Sequence, residues 1–173
     1  MKWVMVLAGG ALLLSPLAAE RAGAATTKVE LRNTQGESVG MATLEAVPDG
    51  VKIVLQAAKL PPGQHGLHIH AVGKCEPPDF TSAGNHFNPQ GKKHGRENPD
   101  GPHAGDLPDL VVGPDGTAQA EMIAAHVSLD PTGASSLLQA EGTALVIHAN
   151  PDDQKTDPAG NAGARIACGI IPR

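Results

Sequence analysis

The stretch SVGMATLEAVPDGVKIVLQAAKLPPGQHGLHIHAV, residues 38–72, decides the fold. Apolar and polar side chains alternate along it in short runs, the period of a strand with one buried face. Pro48-Asp49-Gly50 and Pro61-Pro62-Gly63 break the runs with residues suited to turns. The same rhythm extends outward. KVELRN (28–33) precedes the stretch across a turn at Asn33 to Gly36, and after a long interval come DLVV (109–112), TAQAEMIAA (117–125), TALVIHA (143–149) and RIACGII (165–171), with Pro114-Asp115-Gly116 between the first two. About eight strands with short connections predict an all-β domain, an antiparallel Greek-key flattened barrel or sandwich. No stretch sustains an amphipathic helix, and only a single helical turn is expected, near Ala134 to Gln139.

Two segments break the rhythm. Gly73 to Asp109 is rich in Gly, Pro, Asn and His and has almost no apolar periodicity, and Asn150 to Gly163 has the same character. Both read as long loops, and loops of this length in a compact domain usually carry function.

Of the 173 residues, the first 25 resemble an export signal: Lys2, an apolar run from Trp3 to Leu17, then small residues suited to cleavage. The run is shorter than the roughly 20 residues of a membrane span, so no stable membrane anchor is expected after cleavage. Residues 26–173 are then one domain. Without residues 1–25 the chain has 11 basic and 17 acidic residues, a net charge of −6 with neutral histidines. That balance argues against nucleic acid as a partner. Cys75 and Cys168 are the only cysteines. In an exported chain they predict one disulfide, and closing so long a loop stabilises by about 4–5 kcal/mol on the chain-entropy model. Once Trp3 is removed, the only aromatic side chains are Phe80 and Phe87, so the core must be aliphatic.

The histidines carry the chemistry. His68 and His70 in GLHIH stand two apart, which places both imidazoles on one face of a strand at a spacing that one metal can bridge. His148 ends the apolar run TALVIH. Neither observation alone is specific. The loop HFNPQGKKHGRENPDGPHAGD (86–106) adds His86, His94, His103 and Asp106, three imidazoles and a carboxylate that make a suitable tetrahedral set for zinc.

With these residues in place, the chain resembles the copper-zinc superoxide dismutases, in particular the bacterial exported type, from about Lys28 to Ile171. The most specific stretches are GLHIHAVGKC, TSAGNHFNPQGKKHG, HAGDLPDL and GNAGARIACG. The resemblance implies copper held by His68, His70, His86 and His148, and zinc held by His86, His94, His103 and Asp106, with His86 shared as an imidazolate. It also implies that Asp152 links His68 to His94 from behind, with Asp153 as the alternative one residue on. Arg165 would bind the superoxide anion above the copper. The implied reaction converts superoxide to oxygen and hydrogen peroxide by alternate reduction and oxidation of copper, in the periplasm. His65 and His126 fall outside both metal sets and are given no catalytic role.

The chain also departs from the eukaryotic pattern. PDDQKTDPAGNAGAR is short and lacks the full series of charges that steers substrate there, so Lys155 is the expected steering lysine. CEPPDFTSAG is longer than its eukaryotic counterpart, so the eukaryotic subunit contact does not carry over and both monomer and homodimer stay open. An exported copper and zinc carrier is the main competitor, but storage has no use for an anion-binding arginine. A zinc hydrolase would need an open zinc position, and here protein fills all four.

Overall fold

The computed structural model describes residues 24–173; all but Ala24 and Ala25 of the expected export signal lies outside them. Nine strands follow in chain order: β1 (Thr26–Asn33), β2 (Ser38–Val47), β3 (Gly50–Ala57), β4 (Gly63–His65), β5 (Leu67–His70), β6 (Leu110–Val112), β7 (Ala118–Ala124), β8 (Thr143–His148) and β9 (Arg165–Ile171). All pair antiparallel. Seven form one curled sheet in the order β5-β8-β9-β1-β2-β3-β7, and β4 with β6 form a second, two-stranded sheet. The non-consecutive neighbours are the crossovers of a Greek key.

Nine strands replace the expected eight because Gly63–His65, between the Pro61-Pro62-Gly63 break and GLHIHAV, forms a short strand of its own. The chain exchanges partners at Gly66: β4 before it pairs with β6, and β5 after it pairs with β8. Gly66 donates its N–H to the Asn150 carbonyl at 2.8 Å and accepts the His148 N–H at 2.8 Å. A side chain there would meet the Ala162 Cβ at 2.9 Å.

Alternation along β3 buries Val51, Ile53, Leu55 and Ala57, which pack with Val29 and Leu31 of β1 and Leu44 of β2. The turn into β3 requires Gly50, whose φ is +132° and where the Ala124 carbonyl occupies the space of a Cβ. β8 is buried along its whole length. Leu145 and Ile147 enter the main core while Ala144 and Val146 face a second, small core with Phe80, Ala83 and Cys168. A strand covered on both faces reads as an unbroken apolar run, which is what TALVIH is.

The helical turn expected near Ala134 to Gln139 does not form. Leu137 is buried in the main core, and the chain there pairs with Ser128 through Leu137 N–H to Ser128 O at 2.9 Å and a parallel bridge from Ser128 to Ser136. Bonds to the segment at Ser128 take the place of those a helix needs. The helical turn found among the described residues is a 3₁₀ turn at Thr81–Ala83, inside the first long loop. No helix among the described residues is long and apolar enough to cross a membrane.

Candidate metal centre

On β5, Leu67 and Ile69 point into the core, so His68 and His70 project together from the other face. The free edge of β5 is covered by the first long loop, held there by backbone bonds: Ile69 N–H to Gly105 O at 2.9 Å, Phe87 N–H to Ile69 O at 2.8 Å and Ala71 N–H to Asn85 O at 2.8 Å. This pairing sets His86 opposite His70 and Asp106 opposite His68. Gly105 makes the approach possible, since the Ile69 carbonyl takes the place of any side chain. His148 ends β8 directly across from Arg165, the first residue of β9.

The result is a buried cluster of imidazoles. Ligand atoms of His68, His70, His86 and His148 lie within 4.8 Å of one another, as do those of His68, His86, His94 and Asp106. Individual nitrogens sort the groups further. His68 Nε2 meets Asp152 Oδ2 at 2.6 Å, His70 Nδ1 the Gly84 carbonyl at 2.9 Å and His148 Nδ1 the Gly163 carbonyl at 3.1 Å. Their other nitrogens turn inward. His70 Nε2 and His148 Nε2 stand 3.4 Å apart, while the buried His68 Nδ1 and His86 Nε2 have no partner at all. Buried polar atoms left unbonded are costly, and a cation among these four nitrogens removes the cost. The donor set fits copper, for which imidazole is a suitable ligand.

The opposite nitrogen of His86 faces the second group. His86 Nδ1 and His94 Nδ1 approach Asp106 Oδ1 at 2.9 and 3.1 Å, and His103 Nδ1 lies 3.4 Å from the same oxygen and 3.5 Å from His86 Nδ1. Although His68 is near this group, its Nε2 is taken by Asp152, so His103 completes the set: three imidazole nitrogens and one carboxylate oxygen, the tetrahedral complement of zinc. The second Asp106 oxygen accepts the N–H groups of Gly95 and His103, both at 2.9 Å. These bonds fix the carboxylate before any ion arrives.

Electrostatics follow the geometry. Burial, reinforced by neighbouring imidazoles, pushes His86 down to about 4, and burial with His68 beside it takes His148 to about 3; His70 also falls well below its ordinary value. These rings are neutral and open to a cation at pH 7. For His94 burial pulls the same way but is outweighed by its bonds to Asp106 and Asp152, which raise it to about 9. Asp106 and Asp152 are held below the usual carboxylate range despite burial, through their histidine partners.

Asp152 spans the two groups: Oδ2 to His68 and Oδ1 to His94 Nε2 at 3.0 Å. Asp153 turns outward to Lys155, Thr156 and Asn161, so of the two neighbouring carboxylates it is Asp152 that contacts both histidines. Arg165 donates from Nη1 to the Phe80 carbonyl at 2.6 Å and from Nη2 to the Gly84 carbonyl at 2.7 Å. It lines an open cleft with His70, His86, His148, Lys92 and Lys93. Cys75 and Cys168 are joined by a disulfide, which ties the first long loop to β9.

Lys155 is elsewhere. It pairs with Glu97 at 2.8 Å, both side chains well exposed, and does not line the cleft. Its charge is matched by Glu97, and the cations that line the cleft are Arg165 of β9 with Lys92 and Lys93 of the first loop. His65 is buried between the His148 and Pro61 carbonyls, each 2.8 Å from a ring nitrogen, and His126 is exposed; neither joins a metal set. Gly160, which the sequence did not single out, packs against Asp152 and His94 so closely that a side chain would overlap the carboxylate. In a glycine-rich loop nothing marks that position.

Comparison with known proteins agrees with this geometry. The family model described as copper/zinc superoxide dismutase matches residues 38–171. The chain is 49% identical over 167 residues to the copper-zinc superoxide dismutase 2 of Aquifex aeolicus, covering 96% of each chain. It is 46% identical over 138 residues to the copper-zinc superoxide dismutase of Caulobacter vibrioides, covering 79% of each. Among solved structures, a superoxide dismutase-like protein from Bacillus subtilis superposes with a TM-score of 0.81 at 43% identity, covering 84% of this chain and 97% of that one. The copper/zinc superoxide dismutase from Brucella abortus gives 0.70 at 28% identity over 85% and 99%. A Greek-key barrel that sets a histidine between two buried ligand groups, matched over most of its length by these proteins, belongs to the copper/zinc superoxide dismutase family.

Proposed function

We propose that this chain is a superoxide dismutase in which His68, His70, His86 and His148 hold copper, and His86, His94, His103 and Asp106 hold zinc. The observation that carries the reading is His86 itself, with Nδ1 turned to the carboxylate group and its buried, unbonded Nε2 turned to the other histidines. Copper supplies the alternating one-electron oxidation and reduction by which two superoxide ions and two protons become oxygen and hydrogen peroxide. The protein supplies the rest. Arg165, a permanent cation with N–H groups beyond those given to Phe80 and Gly84, holds the anion at the cleft floor. His86 Nε2 would carry one of the protons that peroxide needs whenever it is not given to copper, and the open cleft admits water for the other. Asp152 orients His68 and His94 together, a link that raises ligand basicity on both sides.

Lys92 and Lys93 line the same cleft and give its mouth a positive field although the chain is acidic overall. Lys93 shares its charge with Asp157 at 3.3 Å. Lys92 is therefore the steering residue of this reading.

The enzyme works in the periplasm after removal of residues 1–25. The leader composition and the Cys75 to Cys168 disulfide support this, since disulfides persist in oxidising compartments. Fractionation and the N-terminal mass of the exported protein test it.

The function is tested by loading residues 26–173 with both metals and following superoxide decay, with His148→Ala beside it. Turnover lost in the variant supports the enzyme. Full metal binding without turnover in the unaltered protein would make it a carrier.

A further inference from the structure

Phe80 is out of keeping with its surroundings. It sits in the polar segment CEPPDFTSAG, yet its side chain is 2% exposed and packs in the small core with Ala83, Ala144, Val146 and Cys168. Its backbone is left-handed, with φ 55° and ψ 24°. A residue with a Cβ resists that region, and stays there only when its environment holds it. The left-handed residue turns the chain into the 3₁₀ turn Thr81–Ala83 and aims two carbonyls at one target: Phe80 O accepts from Arg165 Nη1 and Gly84 O from Arg165 Nη2. Arg165 itself begins β9, so its backbone is fixed and only the guanidinium needs placing.

We propose that Phe80 is a positioning residue for anion capture, its buried ring locking the turn whose carbonyls orient the Arg165 guanidinium over the cleft. This rests on the reading of Arg165 as the anion-binding residue. The disulfide holds the start of the same segment at Cys75, five positions earlier in the sequence, so it does not fix the Phe80 carbonyl directly. The ring supplies that local constraint. Asp79 supports the turn by accepting the N–H and hydroxyl of Thr81 at 3.0 and 2.9 Å.

The test uses protein loaded with copper and zinc, titrated with azide and followed by the optical spectrum of the cupric form, with metal content measured on every sample. Phe80→Ala is expected to weaken azide binding about tenfold, the scale of one disordered charge-assisted hydrogen bond. Phe80→Leu, which keeps most of the apolar contact, recovers most of that loss. In an Arg165→Gln background, which is itself weakened, Phe80→Ala adds nothing. If Phe80→Ala does not retain both metals, Phe80→Ile is read instead. It keeps an apolar side chain but resists the left-handed backbone more strongly, and about a threefold loss is expected. Native azide affinity in Phe80→Ala, or in Phe80→Ile where that variant is read instead, overturns the proposal, and so does an equal loss in the Arg165→Gln background. Arg165→Gln with native azide affinity overturns the reading of Arg165 and the proposal with it.

Discussion

At Gly160 a single methyl group decides whether the two metal groups remain linked. The residue has φ +59°, and an added Cβ would overlap the Asp152 carboxylate and come within 2.6 Å of His94 Nε2. Gly160→Ala and Asp152→Ala are both expected to weaken zinc binding by about 10–100-fold, the range for lost partners of metal ligands; competition with a chelator measures it. The histidines give a pH signature to the metal-free protein. His94, raised to about 9, contributes stability that is complete below the ordinary histidine value of about 6.5 and is lost as pH rises through 9. His86 and His148, lowered to about 4 and 3, act in the other direction, because the unfolded rings take up protons below about 6.5 that the folded rings refuse. Urea midpoints of the metal-free protein should therefore peak near pH 6.5 and fall on both sides; a midpoint that rises steadily from pH 6.5 to 9 contradicts this. Legibility at this scale followed side-chain chemistry. Histidines and aspartates at telling spacings could be read, whereas Gly160 and the carbonyls of Phe80 and Gly84 act through shape and backbone, which a single sequence does not mark.

Strands were legible where one face is buried and the other wet, as in β3, because burial then imposes a period of two. β8 was legible for the opposite reason, as an apolar run covered on both faces. The short strand β4 just before GLHIHAV was not, since it depends on β6 lying beside it. Nor was the path through Ser136 and Leu137, where contacts with Ser128 override local helical preference. β8 makes a direct prediction. Leu145 is fully buried in the main core, so Leu145→Ala should destabilise by about 2–5 kcal/mol in urea unfolding, while Ile123→Thr on the outer face of β7, with Ile123 52% exposed, should stay within about 0.5 kcal/mol. The two long loops were legible as loops from their lack of periodicity. The placement of the first on the edge of β5 and over β8 was not, because it is set by the hydrogen bonds of Gly105 and Asn85, by the disulfide and by the small core around Phe80.

For the whole molecule the electrostatic question is how an acidic chain draws in an anion. The cleft answers it locally, through Arg165 at the floor with Lys92 and Lys93 lining the walls, while the exposed pair of Lys155 with Glu97 stands apart. Lys92→Gln should slow superoxide decay at low ionic strength and converge on the unaltered rate as salt rises, since the screening length falls to about 3 Å at 1 M; Lys155→Gln should change neither. A Lys155 effect larger than that of Lys92 would contradict the assignment. Everything about the site turns on His86 joining the two groups. The most direct test is anomalous diffraction at the copper and zinc absorption edges from crystals of the metal-loaded protein. Copper is expected on His86 Nε2 with His68, His70 and His148, and zinc on His86 Nδ1 with His94, His103 and Asp106. Two ions that do not share His86, or one ion occupying the whole cluster, would contradict it.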